Sequence, residues 1–174
     1  LALAPDTTEP AWLRPEVRPE SALAEVDLAQ YDCVMLSNVS RFSRDEYALL
    51  RSYIDQGGAV VFFLGDEVQA DIYNSVLGDN ASLGSVLPVR LAAPLQVADA
   101  TLDPLGYQHP LLAAFRGRET SGLLTTPIWK YWQVTPLDPE EANVALALTS
   151  GDPLIVEQSV GKGRSIVVAT AASP

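Results

Sequence analysis

Four short stretches carry side chains that could do chemistry. The first is Gly65-Asp66-Glu67, set between an apolar run and an amphipathic one. Two adjacent carboxylates at a helix mouth could share a divalent cation, or divide the roles of general acid and base. Asp71, one turn beyond Glu67, would add a third oxygen donor. The same residues also suit plain capping. Asp is a good N-cap, and acids in a first turn complement the helix dipole. Capping is the reading adopted here, so no metal or cofactor is assigned.

His109 is the single histidine and precedes Pro110. It could act as a general base or a ligand. A Ser-His-Asp or Cys-His pair would have to use it, yet the chain has no G-x-S-x-G elbow. It reads instead as a loop residue entering a helix that Pro110 starts. Cys33, the single thiol, lies in an apolar run. A nucleophilic thiol needs exposure and a neighbour that lowers its pKa, so a buried structural cysteine is expected. Ser37 and Ser40 follow that run at a pocket rim, with nothing to activate them. Gly161-Lys162-Gly163-Arg164 lacks the spacing of a phosphate loop and reads as a hairpin turn. Trp129 and Tyr131 share a strand face and could stack a sugar, but core packing or an interface is the reading preferred. No catalytic residue is assigned. Ser37, Asp66, Glu67 and His109 are the candidate ligand-binding residues.

These residues need elements to position them. The centre of the run 31–39, Cys33-Val34-Met35-Leu36, is apolar on both faces and predicts a strand covered on both sides. Ser43 and Glu46 form a capping-box pattern. Tyr47, Leu50 and Ile54 then make one stripe, widened by Leu49 and Tyr53, and Gly57-Gly58 ends the helix. The run 59–64 (AVVFFL) predicts a buried strand parallel to the first. A second helix is expected over 67–77, with Val68, Ile72 and Val76 on its stripe. A loop follows over 79–85.

Residues 86–97 are extended but interrupted by Pro88 and Pro94, hence peripheral. A loop over 99–108 leads to a short helix over 110–115. Strands are expected over 128–134 and 143–148, then a hairpin of 154–158 with 165–169. The residues 11–18 read as an edge strand or extended segment, and 21–25 as one helical turn. Alternating strand and helix followed by antiparallel strands predicts a three-layer α/β domain with a mixed sheet.

The chain has 174 residues, which suits one domain spanning 1–174. A 48% hydrophobic and 19% charged composition describes a globular protein. The net charge of -11 repels phosphate backbones and anionic bilayers, so neither nucleic acid nor direct membrane contact is expected. One cysteine allows no intrachain disulfide and leaves the compartment open. Leu1-Ala2-Leu3-Ala4-Pro5 reads as the tail of a preceding helix, and the chain stops just after a strong strand. A domain of a longer protein is the expectation.

Taken in order, YDCVMLSNV, SRDEYALLRSYIDQGGAVVFFLGDE, HPLLAAF and PLIVEQSVGKGRSIVVAT resemble the class I glutamine amidotransferase-like superfamily. The likeness covers most of 25–170. It points to the trehalose-utilisation (ThuA-like) branch and to amidotransferase-like domains of bacterial proteins carrying von Willebrand A domains. The resemblance implies a flavodoxin-like fold with a mostly parallel central sheet and an antiparallel C-terminal hairpin. Active members place a cysteine at the turn after the strand matching AVVFFL, paired with a histidine and an acid near the C-terminus. Here that turn is Gly65-Asp66-Glu67 and no histidine follows the last strand, so the catalytic set does not carry over. What the resemblance implies is a pseudoenzyme. It would be a binding or scaffold module for a small molecule or protein, in a parent chain that carries membrane helices. The alternative is a hydrolase of carbohydrates or small molecules with Asp66, Glu67 and His109 in one pocket.

Overall fold

The computed structural model describes residues 14–78, 84–117 and 122–172. The expectations for 1–13 and for most of the loop 79–85 lie outside these. Residues 14–19 have no regular structure, and Glu20–Ala24 form a 3-10 turn where one helical turn was expected. Eight strands follow among the described residues: β1 (Cys33–Ser37), β2 (Ala59–Phe63), β3 (Val89–Ala100), β4 (Leu102–Asp103), β5 (Ile128–Pro136), β6 (Ala142–Leu148), β7 (Pro153–Val160) and β8 (Gly163–Val168). One full α-helix, α1 (Arg44–Asp55), lies between β1 and β2. After β2, the single turn α2 (Ala70–Ile72) passes into a π-helical stretch, Tyr73–Gly78.

The sequence explains α1 directly. Ser43 Oγ accepts the Glu46 amide at 3.2 Å, and Glu46 Oε2 accepts the Ser43 amide at 2.7 Å. Reciprocal bonds of this kind satisfy two of the donors that every helix start leaves unpaired. Tyr47, Leu50, Tyr53 and Ile54 are buried, whereas Leu49 faces outward.

The main sheet has the order β1-β2-β8-β7-β6-β4. β1, β2 and β8 are parallel, and β8, β7, β6 and β4 are antiparallel. β3 and β5 form a separate antiparallel pair. This sheet arrangement overturns the three-layer flavodoxin-like domain expected above. Antiparallel pairings outnumber parallel ones, and the helices are too few to cover both sheet faces. The C-terminal hairpin, β7 with β8, is as expected, and its second strand also inserts beside β2.

Strand alternation sorts the parallel half into two faces. On one, Val60, Phe62, Ser165 and Val167 are wholly buried, as are Leu50 and Ile54 of α1. Phe42, Phe62 and Tyr73 meet edge to face there, with centroids 5.2 to 6.4 Å apart. The Tyr73 hydroxyl donates to the Val39 carbonyl at 2.7 Å. On the other face lie Cys33, Met35 and Ser37, all exposed, and Ala59, Phe63, Ile166 and Val168, all half-buried. Met35 is 46% exposed and only Val61, at the centre, falls to 9%. Cys33 is therefore not the buried core cysteine that its apolar neighbours suggested.

The second helix departs from expectation too. Tyr73 and Leu77 are its buried residues, rather than Ile72 and Val76. Leu77 turns its carbonyl to the amides of Val86 and Leu87, and Asn74 exchanges two 2.9 Å bonds with the Leu91 backbone. These bonds tie the end of the segment to residues 86–91. Val86, Leu87 and Val89 are fully buried, so the segment is not peripheral at its start.

The tightest junction is at Gly163. A Cβ there would run into the carbonyls of Gly58 and Ile54, where α1 ends against the start of β8. Gly163→Ala is expected to destabilise the fold by about 3 kcal/mol, because backbone rather than a side chain would have to move. Urea unfolding checks it. Burial pushes the Tyr73 phenol well above its ordinary range, with Glu20 adding to the effect. A raised folded-state pKa stabilises below the unfolded value. Stability should therefore decline as pH climbs past about 10, the ordinary phenol value. Tyr73→Phe should remove that part of the decline.

Candidate functional site

The Gly65-Asp66-Glu67 turn is built as a junction of three segments. Asn38, just after β1, adopts a positive φ of 54° and its Oδ1 accepts the Glu67 amide at 2.9 Å. Asn tolerates this region better than most residues because its short side chain bonds locally. Its side chain fills the space that a Cβ on residue 65 would need, which is why Gly65 is a glycine. From β5, Trp132 Nε1 donates to the Gly65 carbonyl at 3.1 Å, and Lys130 Nζ sits 2.6 Å from Asp66 Oδ1. Asp66 is not an N-cap, since α2 begins after Gln69. Asp66 and Glu67 are exposed. Among the described residues no three His, Cys, Asp or Glu side chains converge as a metal site.

His109 lies elsewhere, in a second cluster on β7 and β8. Its Nε2 is 3.0 Å from Glu157 Oε2, without the alignment of a hydrogen bond. Arg164 Nη1 donates to Glu157 Oε1 at 2.5 Å. Glu157 is 5% exposed, and a carboxylate so buried requires cationic partners. Nδ1 of His109 accepts the Leu111 amide at 3.3 Å, capping the 3-10 turn Pro110–Phe115. Accepting there leaves the ring proton on Nε2, facing Glu157. Nδ1 is thus engaged by the turn and Nε2 faces the Glu157 carboxylate.

The structure therefore does not bring the four candidate residues together. Asp66 pairs with Lys130, His109 pairs with Glu157, and Ser37 ends the exposed edge of β1. Asn38, Glu157 and Arg164 were missed. Asn38 needs a backbone angle to be noticed. Glu157 is the one acidic residue within a strand run that is otherwise apolar or neutral, which was a readable signal. Of the aromatic pair, Trp129 is 66% exposed, while Tyr131 is buried and donates to Asp152 Oδ2 at 2.8 Å. They do not form a stacking platform.

Two open cavities mark the surface, the second of them beside His109. One of about 490 Å³ lies between residues 26–32 and the end of α1, lined by Asp27, Leu28, Tyr31, Tyr53 and Gln56. The other, about 290 Å³, is lined by Leu105, Gln108, His109, Asn143 and Val144. At Cys33, burial against the sheet and then the neighbouring Asp32 carboxylate push the thiol upward. No helix among the described residues is long and apolar enough to cross a membrane.

No family model matches the chain, and no curated protein matches it. Solved structures do. Cytoplasmic Protein STM3548 from Salmonella typhimurium superposes with a TM-score of 0.66 at 20% identity, over 91% of this chain and 66% of that one. Cytoplasmic Protein STM1381 from Salmonella typhimurium LT2 gives 0.63 at 20% identity, over 84% and 63%. A cold-adapted β-galactosidase from Rahnella sp. R3 gives 0.56 at 17% identity, over 84% of this chain but 21% of the enzyme. The chain spans less than two thirds of each of these structures. At such identities the likeness is one of fold alone, and none of it bears on the amidotransferase resemblance.

His109→Ala should lower stability by about 1–2 kcal/mol, since it removes both a helix cap and a partner of Glu157. His109→Asn restores a capping acceptor without the reach to Glu157, and should recover part of the loss. Denaturant melts of the two variants separate the contributions.

Proposed function

We propose that this chain is a non-catalytic binding module that works through the face of its parallel strands that the described residues leave uncovered. The observation that carries this reading is Met35, 46% exposed beside the exposed Cys33 and the half-buried Phe63, Ile166 and Val168. Parallel strands are ordinarily covered on both sides, so apolar side chains left facing outward mark a contact surface. The groups that chemistry would need serve as struts instead. His109 holds a turn and a buried carboxylate, and Asp66 ties the turn after β2 to β5. The β-galactosidase likeness, confined to a fifth of that enzyme, supports no transfer of its activity.

Two measurements test the reading. The folded protein should enhance the fluorescence of an apolar dye such as anilinonaphthalene sulfonate, and Met35→Lys should reduce that enhancement at least twofold. Chromogenic glycosides and esters should be turned over no faster than in buffer. Turnover that disappears in both Asp66→Ala and His109→Ala would overturn the proposal, as would a folded protein that leaves the dye dark.

A further inference from the structure

β1 is the outermost strand of the main sheet, and its ladder to β2 settles which backbone groups lie on the outer edge. The Ala59 amide donates to the Asp32 carbonyl, and the Asn38 amide donates to the Phe63 carbonyl. In a parallel ladder alternate residues of a strand point to a given neighbour, so Asp32, Val34, Leu36 and Asn38 turn to β2. The amides and carbonyls of Cys33, Met35 and Ser37 point the other way. Among the described residues no other strand or backbone group pairs with them. All three residues are exposed.

Sheet edges are ordinarily blunted by short strands, bulges, proline or charge. The opposite edge of this sheet, β4, has two residues, and β3 of the smaller sheet carries Pro94 and two register shifts. β1 has none of these guards. It runs five residues, CVMLS, without proline, lysine or arginine, and in unbroken register with β2. A row of unpaired N–H and C=O groups is a template for one kind of partner, another extended backbone. A helix does not match it, because its backbone groups are already bonded along its own axis.

Size bears on whose backbone that is. Five residues at about 3.3 Å each make a strip about 16 Å long, and one sheet layer is about 10 Å thick, giving on the order of 160 Å². A stable dimer needs about 800 Å² from each partner. A second copy of the chain, meeting this strip edge to edge, stays well short of that. Strand addition by a single segment relies on main-chain bonds rather than on area. The added strand sends alternate side chains to the two sides of the sheet. On one side they lie beside Cys33 and Met35, and on the other beside the half-buried Val34 and buried Leu36. Apolar neighbours on both sides call for an apolar segment, as β2 (AVVFF) is on the inner side of β1.

We infer that the outer edge of β1 takes an extended apolar segment of a partner protein as a further strand, bonded to the backbone of Cys33, Met35 and Ser37. This edge is a different surface from the bare face that the dye reports, and the two are tested separately. The probe is a peptide of about nine residues, rich in valine and isoleucine, with a lysine at each end. Methylating alternate amides leaves it one bonding edge and keeps it from assembling with itself. A second version is methylated at every amide. Binding is followed by calorimetry and amide exchange by NMR. In the free protein the Cys33, Met35 and Ser37 amides should exchange at least tenfold faster than the Asn38 amide, which is bonded to β2. The first peptide should bind and slow those three at least tenfold, and the fully methylated one should do neither.

Met35→Pro, and separately Ser37→Pro, each remove an outward amide that β2 does not use. Both variants should keep the fold by circular dichroism and bind the peptide at least tenfold more weakly. Should either fail to fold, the methylation pair and the exchange rates still decide. Binding that survives in both folded variants would overturn the inference, as would binding of the fully methylated peptide. So would slow exchange of the three amides without peptide, which at raised concentration means a second copy on the edge. If no peptide binds, the inference falls, while the dye and turnover measurements still decide the module reading.

Discussion

The parallel ladder of β1, β2 and β8 sets the terms for everything else. Strands of this kind carry apolar side chains on both faces, and each face needs cover. Here α1 and the aromatic contacts of Phe42, Phe62 and Tyr73 cover one face. Fixing β8 between β2 and β7 places Glu157 beside Arg164, and so decides where His109 goes. Ending β1 and β2 at one level lets Asn38 reach across to Glu67. Both clusters of polar residues thus follow from strand register.

Those clusters show how charged groups can look catalytic and act structurally. A buried carboxylate is stable only with donors around it, and Glu157 has a guanidinium and an imidazole. An exposed acid such as Asp66 gains little from its lysine, because solvent screens the pair. Its value lies in joining the turn after β2 to β5. Trp132 strengthens the same joint from a buried position, where a hydrogen bond to the Gly65 carbonyl counts for more.

Much of the central unit was legible in the sequence. The Ser43 capping box, the Gly57-Gly58 stop and the apolar run after it each have a local cause, and each element formed where that cause lies. The terminal hairpin was legible for the same reason. Layering was not, because an apolar strand reads alike whether its second face is covered or bare. Cys33 was misjudged on that account, and so was the flavodoxin-like architecture. The segment after Asp66 was misread as a regular helix because the groups that hold it, on Val86, Leu87 and Leu91, are remote in sequence. The candidate site failed for a related reason. Spacing shows which acids lie near each other along the chain, but not that Glu157 would meet His109 across the sheet.

The position of β8 has a consequence for how the molecule comes into being. Of the described strands it is the last in chain order, yet it occupies the middle of the sheet, between β2 and β7. Until it emerges from the ribosome, β2 has only β1 beside it, and α1 lacks the floor that Gly163 lets it approach so closely. The nascent chain must hold these early segments unfinished until β8 arrives. Such long-range closure slows folding and prolongs the exposure of sticky strands.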